Sequence, residues 1–263
     1  MMSTTVRRTI HQIWFNLGDE PHVPAELHER QQSWQRLRLD FSYKLWDLKE
    51  ANRIIENCDK TIQDVWSKLP HGINKADFFR YVVLFRFGGF YVDLDFQNVD
   101  GDGFVNFFDN IDGVVLSEEW PFSLQTGSVH NGVLFSPCAG HPFWSFVFRA
   151  IHERLNALKA VDFRDKQKSV FDLTGTAMLR NIAIEYWQQN LSRTFPLVVV
   201  PFGMFCPLLS RSGDETYYID SYDFDYEAFP PSSWTLPSSI MKPRSFTFAM
   251  LLPAKKRWQK QFF

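Results

Sequence analysis

The feature that most constrains this chain is the unbroken run from Asn74 to Asp95, NKADFFRYVVLFRFGGFYVDLD. Ile73 to Phe87 has the length and apolar density of a strong helix, and Gly88-Gly89 ends it as a C-terminal cap glycine does. Phe90 to Leu94 then reads as a buried strand. On the helix, Asp77 and Arg80 are spaced i, i+3 and so share a face. On the strand, alternation sends Tyr91, Asp93 and Asp95 one way and Phe90, Val92 and Leu94 the other. The apolar set can bury itself against helices. The polar set stands at the carboxyl end of its strand, where open α/β sheets place ligands.

Strands and helices alternate around this run. Further strands are expected at Thr9–Phe15, Phe41–Leu45, Val114–Leu116, Gly132–Ser136 and Leu197–Val200. Helices are expected at Pro24–Arg36, Leu48–Cys58, Ile62–Lys68, Pro142–Leu158 and Thr176–Gln189. The pattern is that of an α/β sandwich. A length of 263 residues suits one large domain, 1–263, in which about 210–263 forms an irregular wrap over the active site. The aromatic share, 17% with 27 Phe and 9 Trp, supports a large rigid core and flat surfaces for stacking. A formal net charge of −2 gives no basic excess, which argues against a nucleic-acid partner. Cys58, Cys138 and Cys206 are sparse and in no CxxC pattern, which suits a reducing compartment. With no apolar leader at the start and no run of membrane-spanning length, the expectation is a soluble, cytoplasmic protein.

Two carboxylates on one strand face would lie ~6.6 Å apart at the backbone, at ~3.3 Å rise per residue. Such anions repel each other and any phosphate brought near. A hard divalent cation resolves this, because Mg²⁺ or Mn²⁺ takes oxygen from one or two carboxylates plus substrate phosphates. An isolated Asp-x-Asp is a weak signal that any solvated strand end can show. Here it comes with an Asp/Arg helix face, a double glycine and an apolar strand, and Asp93 and Asp95 are the candidate metal ligands.

At these residues the chain resembles the DxD-containing sugar transferases of glycosyltransferase family 32, relatives of the yeast initiating α-1,6-mannosyltransferase, and more distantly the clostridial glucosylating toxins. Lys75 to Asp95 matches the central motif closely. Ile10 to Trp14, Tyr43 to Asp47, Asn131 with Gly140 to Phe143, Leu173 to Gly175, Phe205 to Leu208 and Ser233-Trp234 resemble the outer motifs. The resemblance implies a GT-A-type nucleotide-sugar-binding sandwich with a mixed central sheet, a Mn²⁺ or Mg²⁺ cofactor, and a retaining transfer. The hexose would pass from a nucleotide-diphosphate sugar to a glycan or other hydroxyl acceptor. By the same resemblance Trp14 stacks on the nucleotide base, Asp77 and Arg80 grip donor-sugar hydroxyls, and Tyr91 packs beside the donor. Asp95 ligates the metal directly, and Asp93 contacts the ribose or the metal through water. Asn131 reaches the donor, and Ser233 and Trp234 close over the diphosphate. Two departures stand out. The His that often precedes the Ser-Trp pair is replaced around Ala228, and Thr176 stands where a Pro usually follows Thr-Gly.

No residue is assigned as catalytic nucleophile or base. His11, among apolar neighbours, reads as a structural histidine, and His141-Pro142 as a turn into a helix. His130 is a weaker donor-site candidate than Asn131, and Glu118-Glu119-Trp120 is either solvated charge or an acceptor contact. The cationic and aromatic segment 255–263 is either a docked tail or a peripheral membrane contact. Two rivals compete with transfer. One is a silent nucleotide-sugar-binding protein of the same fold. The other is a haloacid-dehalogenase-like phosphatase, against which Gln97 stands where Thr or Val is usual.

Overall fold

In the computed structural model the described residues are 9–15, 22–37, 41–98, 101–106, 108, 111–118, 129–157 and 166–200, with the short segments 208–210, 216–218 and 240–241. In chain order the elements begin β1 (Thr9–Ile13), α1 (Ala25–Gln35), β2 (Ser42–Trp46), α2 (Leu48–Glu56), α3 (Lys60–Lys68), α4 (Gly72–Phe87) and β3 (Gly89–Val92). They continue β4 (Gln97–Asn98), α5 (Asp102–Asn106), β5 (Val114–Glu118), β6 (Val129–Ser136), α6 (Pro142–Ala157), α7 (Lys166–Leu173) and α8 (Thr176–Gln188). The last are β7 (Leu197–Val200), β8 (Leu208–Ser210), β9 (Thr216–Tyr218) and β10 (Ile240–Met241).

Six strands form one sheet in the order β2-β1-β3-β6-β5-β7. The pairs β1–β2, β1–β3 and β5–β7 are parallel, and β6 runs antiparallel to both of its neighbours, β3 and β5. This is the mixed central sheet that the resemblance implies. A smaller sheet, β4-β10-β8-β9, returns the late segments of the chain to β4, just beyond β3.

Alternation along β3 decides which core each residue joins. Tyr91 and Leu134 belong to the cluster that includes residues of α2, α3, α4, α6 and α8, while Phe90, Val92, Val133 and Phe135 belong to the cluster with Trp34 of α1 and Phe104 of α5. The helix between them in sequence, α4, is enclosed on all sides: every residue from Asp77 to Leu84 is buried. A helix buried all round needs internal partners for its polar groups, and that requirement sets the chemistry of the site.

The double glycine does what a stop between a buried helix and a buried strand must do. Gly88 adopts φ +67°, and its N–H donates to the Leu84 carbonyl at 2.9 Å. A Cβ there would lie 2.9 Å from the backbone carbon of Cys138. Both the left-handed conformation and the close approach call for glycine.

The expected strand Phe90–Leu94 ends early. β3 stops at Val92, and the Phe96 N–H donates to the Asp93 carbonyl at 3.2 Å, closing a turn with Leu94 and Asp95 at its tip. Alternation therefore holds through Asp93 and fails at Asp95, which does not share a strand face with it. Helices α5 and α7 and strands β4, β8, β9 and β10 were not foreseen. They are short, and the two helices lack the long apolar period that marks α4.

Gly88→Ala is expected to destabilise the fold by about 1–3 kcal/mol, since it imposes positive-φ strain and a backbone clash together. Urea denaturation checks this. An unchanged midpoint would mean that the α4–β3 junction is not held as described.

Candidate active site

The site is built where three elements meet: the inner face of α4, the end of β3 and the start of β6. Arg80 lies at the centre. Its Nη2 donates to Asp77 Oδ1 at 2.7 Å. Its Nη1 donates to the Asn131 carbonyl at 2.6 Å and lies 3.3 and 3.4 Å from the two Asp93 oxygens. The guanidinium also sits over the Tyr91 ring, 4.6 Å from its centroid. Asp77 and Arg80 are 4% and 6% exposed, so these are bonds made in a low-dielectric interior.

Each neighbour is oriented in turn. The Tyr91 hydroxyl donates to Asp93 Oδ1 at 2.5 Å. The Asp93 N–H donates to the Gly132 carbonyl at 2.8 Å, and Gln12 Nε2 donates to the Asp93 carbonyl at 3.3 Å. Gln12 is itself held by the Tyr43 hydroxyl, which donates to its Oε1 at 2.8 Å. Asn131 Nδ2 donates to Asp77 Oδ1 at 3.3 Å, and the Thr174 hydroxyl donates to Asp77 Oδ2 at 3.1 Å. Space matters as well as bonding. A Cβ on Gly132 would come within 2.6 Å of Asp93 Oδ2 and 2.4 Å of His130 Cε1.

These surroundings shift the titration of the groups in known directions. Burial pushes the Asp77 carboxyl up to about 6, opposed by the Arg80 charge and reinforced by that of Asp93. Burial disfavours the Arg80 charge, but Asp93, Tyr91 and Asp77 outweigh it and raise the group further. The Tyr91 phenol is raised well above its ordinary value, first by burial. Asp95 stands exposed on the turn, yet it is crowded by enough of the fold that desolvation, with the Asp93 charge, pushes it up to about 6.

Of the residues expected from sequence, Asp77, Arg80, Tyr91, Asp93 and Asn131 come together in this cluster. Asp95 lies at the adjoining turn. Parallel pairing of β1 with β3 sets His11 opposite Tyr91, so Trp14, three residues on, follows β1 out at the same edge of the sheet as Asp93. Trp14 Nε1 and Arg80 Nε are buried donors with no partner among the described residues. Ser233, Trp234, Glu119, Trp120 and the segment 255–263 lie outside the described residues. His11 is structural, as expected: Nδ1 accepts from Trp46 Nε1 at 3.1 Å, Nε2 bonds the Gly88 carbonyl at 3.0 Å, and burial lowers its pKa to about 4.

Sequence reading missed the supporting residues Gln12, Asn74, Thr174 and Gly132. One signal was available. Asn74 stands three residues before Asp77 on α4, and hence on the same face. Among the described residues no cluster of three or more His, Cys, Asp or Glu side chains forms a cage for a metal, and no helix is long and apolar enough to cross a membrane.

Comparison with known proteins fits this geometry. Residues 24–100 match the family described as the glycosyltransferase sugar-binding region containing a DXD motif, a span that includes Asp77, Arg80, Asp93 and Asp95. The chain is similar to that family over this region. It is 34% identical over 91 residues to the initiation-specific alpha-1,6-mannosyltransferase of Candida albicans, covering 34% of this chain and 24% of that protein. It is 26% identical over 231 residues to inositol phosphoceramide mannosyltransferase 2 of Schizosaccharomyces pombe, covering 87% of this chain and 58% of that one. It thus spans about a quarter and about three-fifths of these relatives. Among solved structures the PaToxG glycosyltransferase aligns with a TM-score of 0.47 and 14% identity, over 71% of each chain.

Removing the central charge should be severe. Arg80→Gln leaves Asp77 and Asp93 facing each other without their cation, and a loss of about 3–5 kcal/mol is expected. The pH dependence has a definite sign. Without Arg80, Asp77 keeps the burial and the Asp93 charge that raise its pKa, so its folded-state value lies still further above the unfolded one. The folded state then binds the extra proton, and stability falls as pH rises through that window. The deficit of Arg80→Gln relative to wild type should therefore shrink between pH 7.5 and pH 5.5 in denaturant titrations. A deficit independent of pH would contradict this account.

Proposed function

We propose that the protein is a metal-dependent, retaining glycosyltransferase with a GT-A-type fold, transferring a hexose from a nucleotide-diphosphate sugar to a hydroxyl of a glycan or glycolipid acceptor. The observation that carries this reading is the charge balance at the end of β3. Asp77 and Asp93 flank one buried guanidinium, and Asp95 stands on the adjoining turn under the influence of Arg30 as well as Arg80, so carboxylates outnumber cations where a diphosphate would have to bind. Similarity to a DXD sugar-binding family over residues 24–100 gives that surplus a purpose. The mannosyltransferase names of both relatives favour mannose as the hexose.

The residues present fit a Mn²⁺ or Mg²⁺ ion of the kind that keeps water and phosphate ligands, rather than one held wholly by protein. Asp95, exposed on its turn, would hold it directly. Asp93, with one oxygen engaged by Tyr91 and both near Arg80, would act through water or on the ribose. The ion would supply charge neutralisation for the leaving diphosphate.

The other contributions come from the chain itself. Trp14 offers a flat indole for the base at the edge of β1. Asp77 and Arg80, with Asn131 beside them, form a rigid floor for the sugar hydroxyls, and Tyr91 backs that floor. Because these groups are already bonded to one another, little reorganisation accompanies binding, which is the condition for electrostatic and orientational catalysis. Pairing of β10 with β4, directly after the Asp95 turn, supports a closing role for the C-terminal segment that carries Ser233 and Trp234. The cationic and aromatic segment 255–263 is the part suited to an anionic membrane carrying a lipid-linked acceptor, and a cytoplasmic location is part of the same proposal.

Asp95→Ala is expected to abolish transfer and donor hydrolysis while leaving the thermal midpoint within about 2 °C of wild type, since it removes an exposed side chain from a turn. A donor screen with and without Mn²⁺ provides the assay, and the anomeric configuration of the product, read by NMR, tests retention. Turnover retained in Asp95→Ala would sink the metal assignment. Nucleotide-sugar binding without consumption in the wild type would point to a silent binder.

A further inference from the structure

We infer that Thr174, in the short link between α7 and α8, is a positioning residue for Asp77, the middle member of a buried relay that starts at Asn74. The inference rests on the donor-site reading above, since it assigns the relay's purpose to the carboxylate that faces the sugar.

The direction of the relay is fixed by its ends. Asn74 Nδ2 donates to Thr174 Oγ1 at 2.9 Å, and the Thr174 hydroxyl donates on to Asp77 Oδ2 at 3.1 Å. The orientation of the Asn74 amide is set by a second acceptor, the Ser169 carbonyl 3.4 Å from Nδ2. Turning the amide over would press its oxygen against that carbonyl. With Nδ2 occupying a lone pair of Thr174 Oγ1, the hydroxyl proton is directed to the carboxylate. The backbone of Thr174 is clamped as well, because the Tyr81 hydroxyl donates to its carbonyl at 2.7 Å. Gly175 adds a bond from its N–H to the Val170 carbonyl at 2.8 Å, and a Cβ on Gly175 would lie 2.8 Å from that same oxygen.

The two oxygens of Asp77 are thus held from opposite sides. Arg80 and Asn131 hold Oδ1 from α4 and β6, while Thr174 holds Oδ2 from the link before α8. Asn74, Tyr81 and Thr174 are each 0% exposed, so solvent does not replace a lost member. Without the hydroxyl, the plane of the carboxylate is fixed from one side alone. The relay therefore ties the α7–α8 link to the geometry of the Asp77 carboxylate.

The test compares Thr174→Val, which removes the hydroxyl at nearly constant shape, with Thr174→Ser, which keeps it. Turnover of GDP-mannose with Mn²⁺ is measured alongside calorimetric affinity for GDP. The Val variant should lose about ten-fold or more in kcat, while GDP affinity stays within about two-fold. The Ser variant should recover most of the rate. An equal loss in both variants, or a Val variant with unchanged kcat, overturns the positioning role. If wild type turns over neither GDP-mannose nor other nucleotide sugars, the functional reading has failed, and a crystal structure of Thr174→Val then judges the relay alone. An Asp77 carboxylate turned out of its plane upholds it, and one unmoved overturns it.

Discussion

The buried guanidinium of Arg80 is the interaction on which the rest of the site depends. A charge so enclosed is tolerated only when its partners are placed to receive it, and here they come from three elements. Asp77 is one helical turn before it on α4, Asp93 follows β3, and the Asn131 carbonyl lies on β6. Because β3 lies between β1 and β6 in the sheet, anchoring Arg80 to Asp93 and Asn131 also fixes how α4 lies across the sheet. The guanidinium packs over the buried Tyr91 ring, 4.6 Å from its centroid.

This explains why the fold was so legible around residues 73–93. A long apolar helix, a glycine stop and a buried strand are signalled by local chemistry: period, absence of Cβ and β-branched content. The same holds for β1, β2, β5, β6 and β7 and for the long helices, whose apolar patterns agree with where they are buried. Legibility fell off where elements are short or depend on distant partners. The two-residue strands β4 and β10 exist because they pair with each other, and no local pattern announces that. α5 has five residues, too few to display a helical period, though Phe104 and Val105 are firmly buried.

The site itself was half legible. Charged residues on an apolar helix draw attention, and Asp77, Arg80 and Asp93 were brought together as the pattern implied. Their uncharged supports were harder to see. Gln12 and Asn74 are ordinary polar letters in sequence and become informative only through what they bond. Gly132 is similar: its importance is a volume, the space taken by Asp93 Oδ2 and the His130 ring. Asp95 shows the opposite error. Strand alternation, extended two residues too far, set it beside Asp93 on one face, whereas the Asp93–Phe96 hydrogen bond turns the chain first.

That turn gives the two aspartates different physical characters. Asp93 is bonded through its backbone to β6 and to Gln12, and through its side chain to Tyr91 and Arg80, so its position is set before any ligand arrives. Asp95 sits at the tip of the turn, exposed, with its carboxylate raised to about 6 by desolvation and by the neighbouring negative charge. A group in that state is poorly satisfied by the protein and is stabilised by an incoming cation, which relieves the Asp93–Asp95 repulsion directly. A rigid strand with both carboxylates on one face would have fixed the two charges alike. Ending the strand at Val92 instead couples a preorganised anion to an adaptable one, the division that the proposed donor site would need to admit and release a charged diphosphate.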